Sequence, residues 1–350
     1  GFVDLQSPAG TGTSAIVFNY DGNVYASDEA RMLAEMRDET FNLGNLLQHD
    51  YAKIMIAAFK RVEERSGGNL KIDYTSFGET PYKPIDAQTL IRDGLTEMTE
   101  WLAGYNAGTY PLLAAPNLPM IAEKWVSPAE LQKVKLEAWA TPTVSAYKKK
   151  IFDDHNAASL STHFYDPINI WFSEVVTDIS DIKGKKVRAT QPEQAKWLTA
   201  MGASPVNISA SDAYQGLQRG VIDGIITGSG AVVGFKWYEV LKSGFAANVL
   251  LSSTDIMISK SALESLPEGT RNILVEEMKN VEKSIHEAMP KAYEAKVAEL
   301  RDKGLVITEP SPELYQQFRQ YAVEEVYPDW AKRAGGDAQK SLSEMGITLQ

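Results

Sequence analysis

Arg188 is the residue of this chain whose type and setting most clearly suggest binding chemistry. It lies in the run KKVRAT, residues 185–190, where apolar residues flank it in a predicted strand. The planar guanidinium of arginine matches a carboxylate with two parallel hydrogen bonds. At the carboxyl end of a strand it would face the crevice where α/β sheets bind ligands. Two roles therefore fit Arg188. It could bind a ligand carboxylate, or it could form an ion pair with an acidic residue of the same folded lobe of the protein.

Aromatic residues gather at comparable strand ends. Such residues typically wall small-molecule pockets, although ordinary core packing explains them equally well. They are Trp101 and Tyr105 in the first half of the chain, and Phe164, Tyr165, Trp171 and Phe172 near the middle.

Residue patterns for catalysis or metal binding are weak. The four histidines (His49, His155, His163 and His286) have no His or Cys partner three or four residues away, and the chain has no cysteine. The run TGSGA, residues 227–231, lacks the G-x-S-x-G frame of a nucleophile elbow, and GTGTSA fails the dinucleotide-binding pattern. We therefore expect neither an enzyme nor a metal or cofactor site. The rival interpretation is an enzyme whose fold has two lobes.

Composition narrows the class further. The 350 residues are 44% hydrophobic and carry a net charge of -11, which argues against nucleic acid as a partner. No run approaches the roughly 18 apolar residues of a membrane span. The first residues, GFVDLQSPAG, have no initiator Met, which favours a mature protein whose signal peptide was removed.

Hydrophobic periodicity predicts two lobes that share the same order of helices and strands. The segment AQTLIRDGLTEM, residues 87–98, aligns with AYQGLQRGVIDG, residues 213–224, as helix, glycine stop and strand. Residues 1 to about 40 have no clear period and suggest an irregular arm. A helix of about 268–303 is long enough to bridge both lobes.

The stretch DISDIKGKKVRATQPEQAKWLTAMGASPVNISASDAYQGLQRGVIDG, residues 178–224, resembles the most characteristic segment of the TRAP solute-binding family, also called the DctP-like family. Its parts follow in the family's order: D-x-K-G-x-K-x-R, then M-G-A-S-P-V, then S-D-A-Y-Q-G-L-Q-R-G-V-I-D-G. The match is looser but collinear from residue 41 to about 330, and the first forty residues are outside it.

The resemblance implies an α/β, two-lobed periplasmic-binding-protein (flytrap) fold with a long helix spanning both lobes. The expected boundaries are 1–40 for an N-terminal extension, 41–165 plus about 254–290 for lobe I, and 166–253 plus about 291–350 for lobe II. It also implies a periplasmic monomer that delivers a small organic acid to the membrane subunits of a TRAP transporter. A binding protein of an ABC importer and a ligand-sensing module for a signalling receptor are the alternatives.

The resemblance also assigns the site. The family's ligand-gripping arginine falls on Arg188, and the lobes are expected to close on the ligand. Many members place an Asn after V-I-D-G; here Thr227 stands in that region, and we expect Thr227 and Asn207 to add hydrogen bonds. The aromatic residues expected to cover the apolar part of the ligand are Trp101, Phe164, Tyr165 and Trp171.

Binders of acidic sugars in this family carry a second arginine about twenty residues before the first. Residues 165–171 of this chain contain no basic residue, which disfavours sialic acid. We expect a monocarboxylate with an apolar or aromatic body, with a C4-dicarboxylate or a 2-oxo acid as the alternative ligand.

Overall fold

The computed structural model describes residues 14–20, 50–77, 80–208 and 210–348. Eleven β-strands and thirteen α-helices occur in these ranges. The strands are β1 Ser14–Tyr20, β2 Leu70–Ser76, β3 Met98–Leu102, β4 Ala157–Phe164, β5 Ile168–Phe172, β6 Lys186–Arg188, β7 Ser204–Val206, β8 Gly224–Gly228, β9 Ser243–Leu250, β10 Ser253–Ser259 and β11 Val306–Thr308. The helices are α1 Asp50–Arg65, α2 Ala87–Arg92, α3 Ala103–Asn106, α4 Pro128–Ala140, α5 Pro142–Asp154, α6 Pro192–Ala200, α7 Ala210–Gln218, α8 Ser229–Gly234, α9 Lys260–Ser265, α10 Glu268–Asp302, α11 Pro312–Tyr321, α12 Tyr327–Ala334 and α13 Asp337–Glu344.

The chain divides into two compact units, each built from three segments. Unit 1 comprises Gly1–Leu102, Lys149–His163 and Thr254–Ala288. Unit 2 comprises Ala103–Lys148, Phe164–Ser253 and Met289–Gln350. The boundaries expected from the sequence differ from this division mainly in residues 103–148, which had been placed in lobe I.

Packing against the second sheet explains why residues 103–148 belong to unit 2. The Met120 amide donates to the Val249 carbonyl at 2.8 Å, so the segment adds a hydrogen bond to β9. The Trp125 indole donates to the Ala246 carbonyl of the same strand at 3.0 Å. The segment therefore follows β9 of unit 2 after the chain leaves β3.

Unit 1 is organised around a five-stranded sheet with the order β2-β1-β3-β10-β4. Strand β1 pairs antiparallel with both β2 and β3. The interpretation of the first forty residues as an irregular arm is therefore wrong for Ser14–Tyr20, and the rest of that arm lies outside the described residues. The segment SAIVFNY has apolar residues at both odd and even positions, so it lacks the alternation that marks a half-buried strand in a sequence.

Unit 2 contains a six-stranded mixed sheet with the order β11-β9-β5-β8-β6-β7. Strand β6 runs parallel to its neighbours β7 and β8, whereas β5 is antiparallel to β8 and β9. A core cluster that includes Trp171, Ile225, Val232 and Leu300 packs β5 and β8 with the helices beside them. This core holds the strands that carry the candidate site.

The repeated pattern predicted from the sequence is confirmed in both units. Helix α2 is followed by Gly94 at φ 70° and then β3, and helix α7 is followed by Gly220 at φ 68° and then β8. Both glycines take the left-handed conformation that ends a helix at little steric cost. The predicted long helix is also confirmed as α10, whose residues divide between the two units after Ala288.

Candidate functional site

Arg188 is the last residue of β6 and lies at the carboxyl ends of the parallel strands β6 and β7. In the ladder it is opposite Val206 of β7 and Ile225 of β8. Its side chain is buried, with 7% of its surface exposed. The carboxyl ends of parallel strands are where sheets of this class bind ligands, so the position fits a ligand-binding residue.

The guanidinium of Arg188 is only partly satisfied by protein groups. Its Nε donates to the Ile208 carbonyl at 2.9 Å. Within the described ranges, this is its only hydrogen bond and it forms no ion pair. The four N–H bonds on the two Nη atoms therefore remain for another acceptor. A buried charge is costly unless it is paired and hydrogen-bonded, so the structure favours an anionic partner from outside the chain.

Two acidic side chains of unit 2, Glu193 and Asp166, are engaged by groups other than Arg188. Glu193, the acidic residue nearest to Arg188 in sequence, is 1% exposed and accepts from Nη2 of Arg333 at 2.7 Å. The Asp166 carboxylate accepts from the Ser229 hydroxyl and from the Gly230 amide, each at 2.7 Å. The internal ion pair that the sequence left open is thus not formed among the described residues.

Tyr105, on α3, lies close enough to Arg188 for the two groups to affect each other's ionisation. Burial lowers the pKa of the Arg188 guanidinium, and the nearby Tyr105 opposes that effect. Burial raises the pKa of the Tyr105 hydroxyl, and the positive Arg188 opposes that effect. At neutral pH the pair therefore presents a cationic fork beside a protonated hydroxyl donor.

A glycine allows α3 to approach the strand end that carries Arg188. A β-carbon at Gly104 would overlap the side-chain amide of Gln191, which follows Arg188 by three residues. The missing side chain lets the Gln191 amide lie directly against the backbone of α3. This close packing fixes Tyr105, the next residue of α3, relative to the end of β6.

The chain after α3 is held by side-chain donors. A 3₁₀ segment, Pro111–Asn117, and the turn after it have few regular backbone partners, so their carbonyl groups need other donors. Side chains on helices of unit 2 donate hydrogen bonds to these carbonyl groups. The bonds run from Trp330 to Pro111 at 2.7 Å, from Lys135 to Pro116, from Tyr327 to Pro119 at 3.0 Å, from Tyr315 to Ala122 at 3.1 Å and from Arg319 to Ala122 at 3.2 Å. The segment that follows Tyr105 is therefore anchored at several points.

Two of the polar residues predicted for the site lie near Arg188 in the sheet. Asn207 directly follows Val206, the ladder neighbour of Arg188, and its side chain is exposed. Thr227 lies on β8 two residues beyond Ile225, the other neighbour, and is partly exposed. Both residues keep accessible surface, and their contacts with a ligand stay predictions.

The predicted aromatic residues are mostly buried. Trp171 is fully buried in the core of unit 2, and its indole N–H donates to the Thr227 carbonyl at 3.0 Å. Trp101 is fully buried in unit 1, where it donates to Gln88 at 2.9 Å and packs edge-on against Phe152. Each indole N–H therefore donates its hydrogen bond to an acceptor within its own unit.

The remaining two aromatic residues follow one another at the end of β4. Phe164 is 1% exposed, whereas Tyr165 is partly exposed and its amide donates to the Ser252 carbonyl at 3.0 Å. Of the four aromatic side chains, Tyr165 is the one that keeps accessible surface. The ligand-contact role of all four stays a prediction.

Three residues around the end of β6 were not assigned to the site from the sequence: Gly104, Tyr105 and Gln191. Tyr105 was noted only as one of several aromatic residues. The available signal was a glycine next to a tyrosine inside a short helical turn, in the run AGYN. Only the folded chain shows that this turn packs against the residues after β6.

Two further kinds of site are absent from the described residues. No group of three His, Asp or Glu side chains in them could hold a metal ion. Nor does any helix in the described ranges have the length and apolarity needed to cross a bilayer. The arrangement around Arg188 supplies hydrogen-bond donors and a positive charge, which is suited to holding an anion.

Comparison with known proteins also indicates an α/β protein that binds small molecules. The family model of the bacterial extracellular solute-binding proteins, family 7, matches residues 47–333. The chain therefore belongs to this family, the DctP family, and the resemblance to TRAP solute-binding proteins is confirmed. Members of the family bind substrates as receptors and are not enzymes.

One relative and two solved structures, all distant in sequence, cover between 84% and 95% of the chain. A solute-binding protein of Albidiferax ferrireducens is 22% identical over 338 residues, which are 95% of either chain. The receptor DctP6 of Bordetella pertussis, solved as a binder of pyroglutamic acid, superposes with a TM-score of 0.75 at 21% identity over 85% of this chain and 95% of its own. A TRAP periplasmic protein of Desulfovibrio salexigens with bound orotic acid gives 0.73 at 20% identity, over 84% and 93%. The two structures confirm the predicted fold class.

Proposed function

We propose that this protein is the periplasmic receptor of a TRAP transporter and that it binds a small organic acid through the carboxylate. The observation that carries the proposal is Arg188, a buried cation whose Nη atoms meet no acceptor in the described chain. The proposal includes an exported location for the protein, after removal of a signal peptide. It also includes delivery of the acid to membrane subunits by a monomeric protein. Closing of the two lobes on the ligand likewise stays a prediction.

The direction of Arg188 favours one binding geometry. Because Nε donates to Ile208, the side-on mode that uses Nε and one Nη is blocked. The two Nη atoms remain available for an end-on pair with both oxygens of one carboxylate. Asn207 and Thr227, which keep accessible surface beside Arg188 in the sheet, are the proposed further hydrogen-bonding residues.

The ligand that we propose is a monocarboxylate with an apolar or aromatic body. Absence of a basic residue from 165–171 supports a single charged end, and Tyr165, the one of the four predicted aromatic residues that keeps accessible surface, offers an apolar contact. The pyroglutamate and orotate found in structural neighbours are small cyclic carboxylates, which supports the same class for this chain. A C4-dicarboxylate or a 2-oxo acid is the alternative.

A ligand screen tests this proposal. The protein would be unfolded and refolded to remove carried-over ligand, then titrated calorimetrically with aromatic and branched monocarboxylates, 2-oxo acids, C4-dicarboxylates and hexuronates. A ligand at about 100 times its dissociation constant adds about 2.7 kcal/mol of stability, so thermal unfolding provides a rapid first pass. We expect selective binding of one class of monocarboxylate. Binding of neutral solutes in preference to every acid would contradict the proposal.

A further inference from the structure

Asp166 is an acidic residue of unit 2 whose charge no protein cation compensates. It lies two residues before β5 and is partly exposed. Its carboxylate accepts hydrogen bonds from the Ser229 hydroxyl and the Gly230 amide, each at 2.7 Å. Both donors are uncharged, and Asp166 forms no ion pair within the described ranges. The carboxylate therefore keeps its negative charge at the end of the sheet.

The strand ladder relates this carboxylate to Arg188. Arg188 is opposite Ile225 of β8, and Gly228, the last residue of β8, lies three residues further along that strand. A β-carbon at Gly228 would lie 2.5 Å from Oδ1 of Asp166, so the carboxylate lies directly against Gly228. Three residues of a strand span about 10 Å. The negative charge of Asp166 is thus offset from the level of Arg188 by about this distance along β8.

The position of the Asp166 carboxylate is fixed by its surroundings. Any side chain at Gly228 would overlap the carboxylate, so the missing β-carbon permits this close approach. The two donors to Asp166 belong to the first turn of α8, and the Thr227 carbonyl just before them accepts from the Trp171 indole at 3.0 Å. A charge held in this way acts on a bound molecule from a constant position.

Residues predicted to contact the ligand lie on both sides of Asp166. Tyr165 directly precedes it in the chain and keeps accessible surface. Thr227, which is also partly exposed, directly precedes Gly228, the residue that Asp166 contacts. An acid that is held by Arg188 and extends along Thr227 and Tyr165 therefore brings its far end close to Asp166.

We propose that Asp166 excludes acids that carry a second negative charge at the end far from Arg188. This inference rests on the proposed function, since it assumes that Arg188 binds one carboxylate. The missing basic residue in 165–171 only removes an attraction, whereas Asp166 adds a repulsion, and specificity commonly depends on such an unfavourable contact. Repulsion between like charges about 10 Å apart near a protein surface corresponds to roughly a three- to tenfold higher dissociation constant.

The test compares acids of the same shape whose far end is either charged or neutral. The pairs are glutarate with glutaramate and terephthalate with 4-carbamoylbenzoate, and butyrate and benzoate are the unsubstituted parents. Dissociation constants are measured calorimetrically for the intact protein and for Asp166→Asn, which keeps an oxygen acceptor for Ser229 and Gly230 but removes the charge. We expect the intact protein to bind the amide roughly three- to tenfold more tightly than the diacid, and Asp166→Asn to bind both about equally.

Asp223→Asn is the matched control. Asp223 directly precedes β8, at the opposite end of the strand from Gly228, and accepts from the Lys186 amide at 2.8 Å. The change removes the same charge from the same unit, so the preference for the amide should remain. Raising sodium chloride from about 0.02 M to 0.5 M should weaken the preference in the intact protein and in Asp223→Asn, because salt screens exposed charges at this separation.

The outcomes separate this inference from the proposed function. Equal binding of amide and diacid by the intact protein, or a preference that Asp166→Asn keeps or that both variants reduce alike, would overturn the role of Asp166 and leave Arg188 as the carboxylate-binding residue. If the parents bind but the intact protein and Asp166→Asn both refuse amide and diacid, the site selects by size and the inference is also overturned. If no acid binds the intact protein, the proposed function fails together with the inference.

Discussion

Replacing Arg188 by methionine is expected to abolish binding of the organic acid at micromolar concentrations. The variant keeps a long apolar side chain but loses the charge and the two Nη donors. Truncating one partner of a buried, hydrogen-bonded charge pair costs about 2–5 kcal/mol of binding free energy. That loss corresponds to roughly a 30- to 5,000-fold higher dissociation constant, measurable by calorimetry.

The ligand-free variant should be as stable as the parent protein or more stable. In the ligand-free chain the buried guanidinium of Arg188 has only the Ile208 carbonyl as a partner within the described residues. Removing a buried charge without a counter-ion takes away a desolvation cost. A fall in thermal stability together with the fall in affinity would instead indicate a structural role for Arg188.

Two further variants sharpen this prediction. Arg219→Met removes an exposed arginine of the same unit and should leave affinity unchanged. Arg188→Lys retains the charge but not the planar fork, so we expect intermediate affinity. Wild-type affinity in Arg188→Met would contradict the assignment of the site.

The second large effect concerns Lys135, on α4 of unit 2. Its side chain is fully buried, donates to the Pro116 carbonyl and contacts no carboxylate in the described ranges. Burial lowers the pKa of its amine from 10.5 to about 7. We expect Lys135→Met to raise the free energy of unfolding at pH 7 by roughly 2–4 kcal/mol, because an apolar chain of similar length removes the cost of the buried charge.

The sign of the pH dependence follows from the lowered pKa of Lys135. Between pH 7 and 10 the unfolded chain holds the proton on this amine and the folded chain does not, so stability rises with pH in this window. The full difference between the two pKa values corresponds to about 5 kcal/mol. Above pH 10 the effect reverses, since burial raises the pKa of the Tyr315 and Tyr327 hydroxyls and the unfolded chain then loses their protons first.

Urea unfolding at pH 7, 8, 9 and 10 checks this prediction. The gain from Lys135→Met should be largest at pH 7 and shrink as the pH rises to 10. Lys133→Met, an exposed change on the same helix, should alter stability by less than about 0.5 kcal/mol at every pH. A loss of stability in Lys135→Met throughout this range would mean that the hydrogen bond to Pro116 outweighs the cost of burying the amine.

Features with local signals could be predicted from the sequence. The strand that ends at Arg188, the helix-glycine-strand repeat and the long helix α10 depend on periodicity and on glycine stops, which neighbouring residues determine. The resemblance of residues 178–224 then connected these elements to a family whose model matches the chain. This local pattern placed Arg188 at the correct end of its strand.

Features that depend on distant contacts could not be predicted. The place of strand β1 between β2 and β3 is set by pairing with segments more than fifty residues away, and residues 103–148 belong to unit 2 because they bond to β9. The pairing of Glu193 with Arg333, 140 residues away, is a distant contact of the same kind. The packing of Gly104 on Gln191 is likewise a tertiary contact, so the run AGYN alone could not place Tyr105 near the end of β6.

The most direct test observes the Arg188 guanidinium itself during binding. Nitrogen-15 NMR of the arginine side chains, with Arg188 assigned through the Arg188→Lys variant, would follow the Nε and Nη signals as acid is added. We predict large shifts and slowed exchange of the Nη protons, with a small change at Nε because it already donates to Ile208. Saturable binding of an acid that leaves the Arg188 Nη signals unchanged would contradict the account.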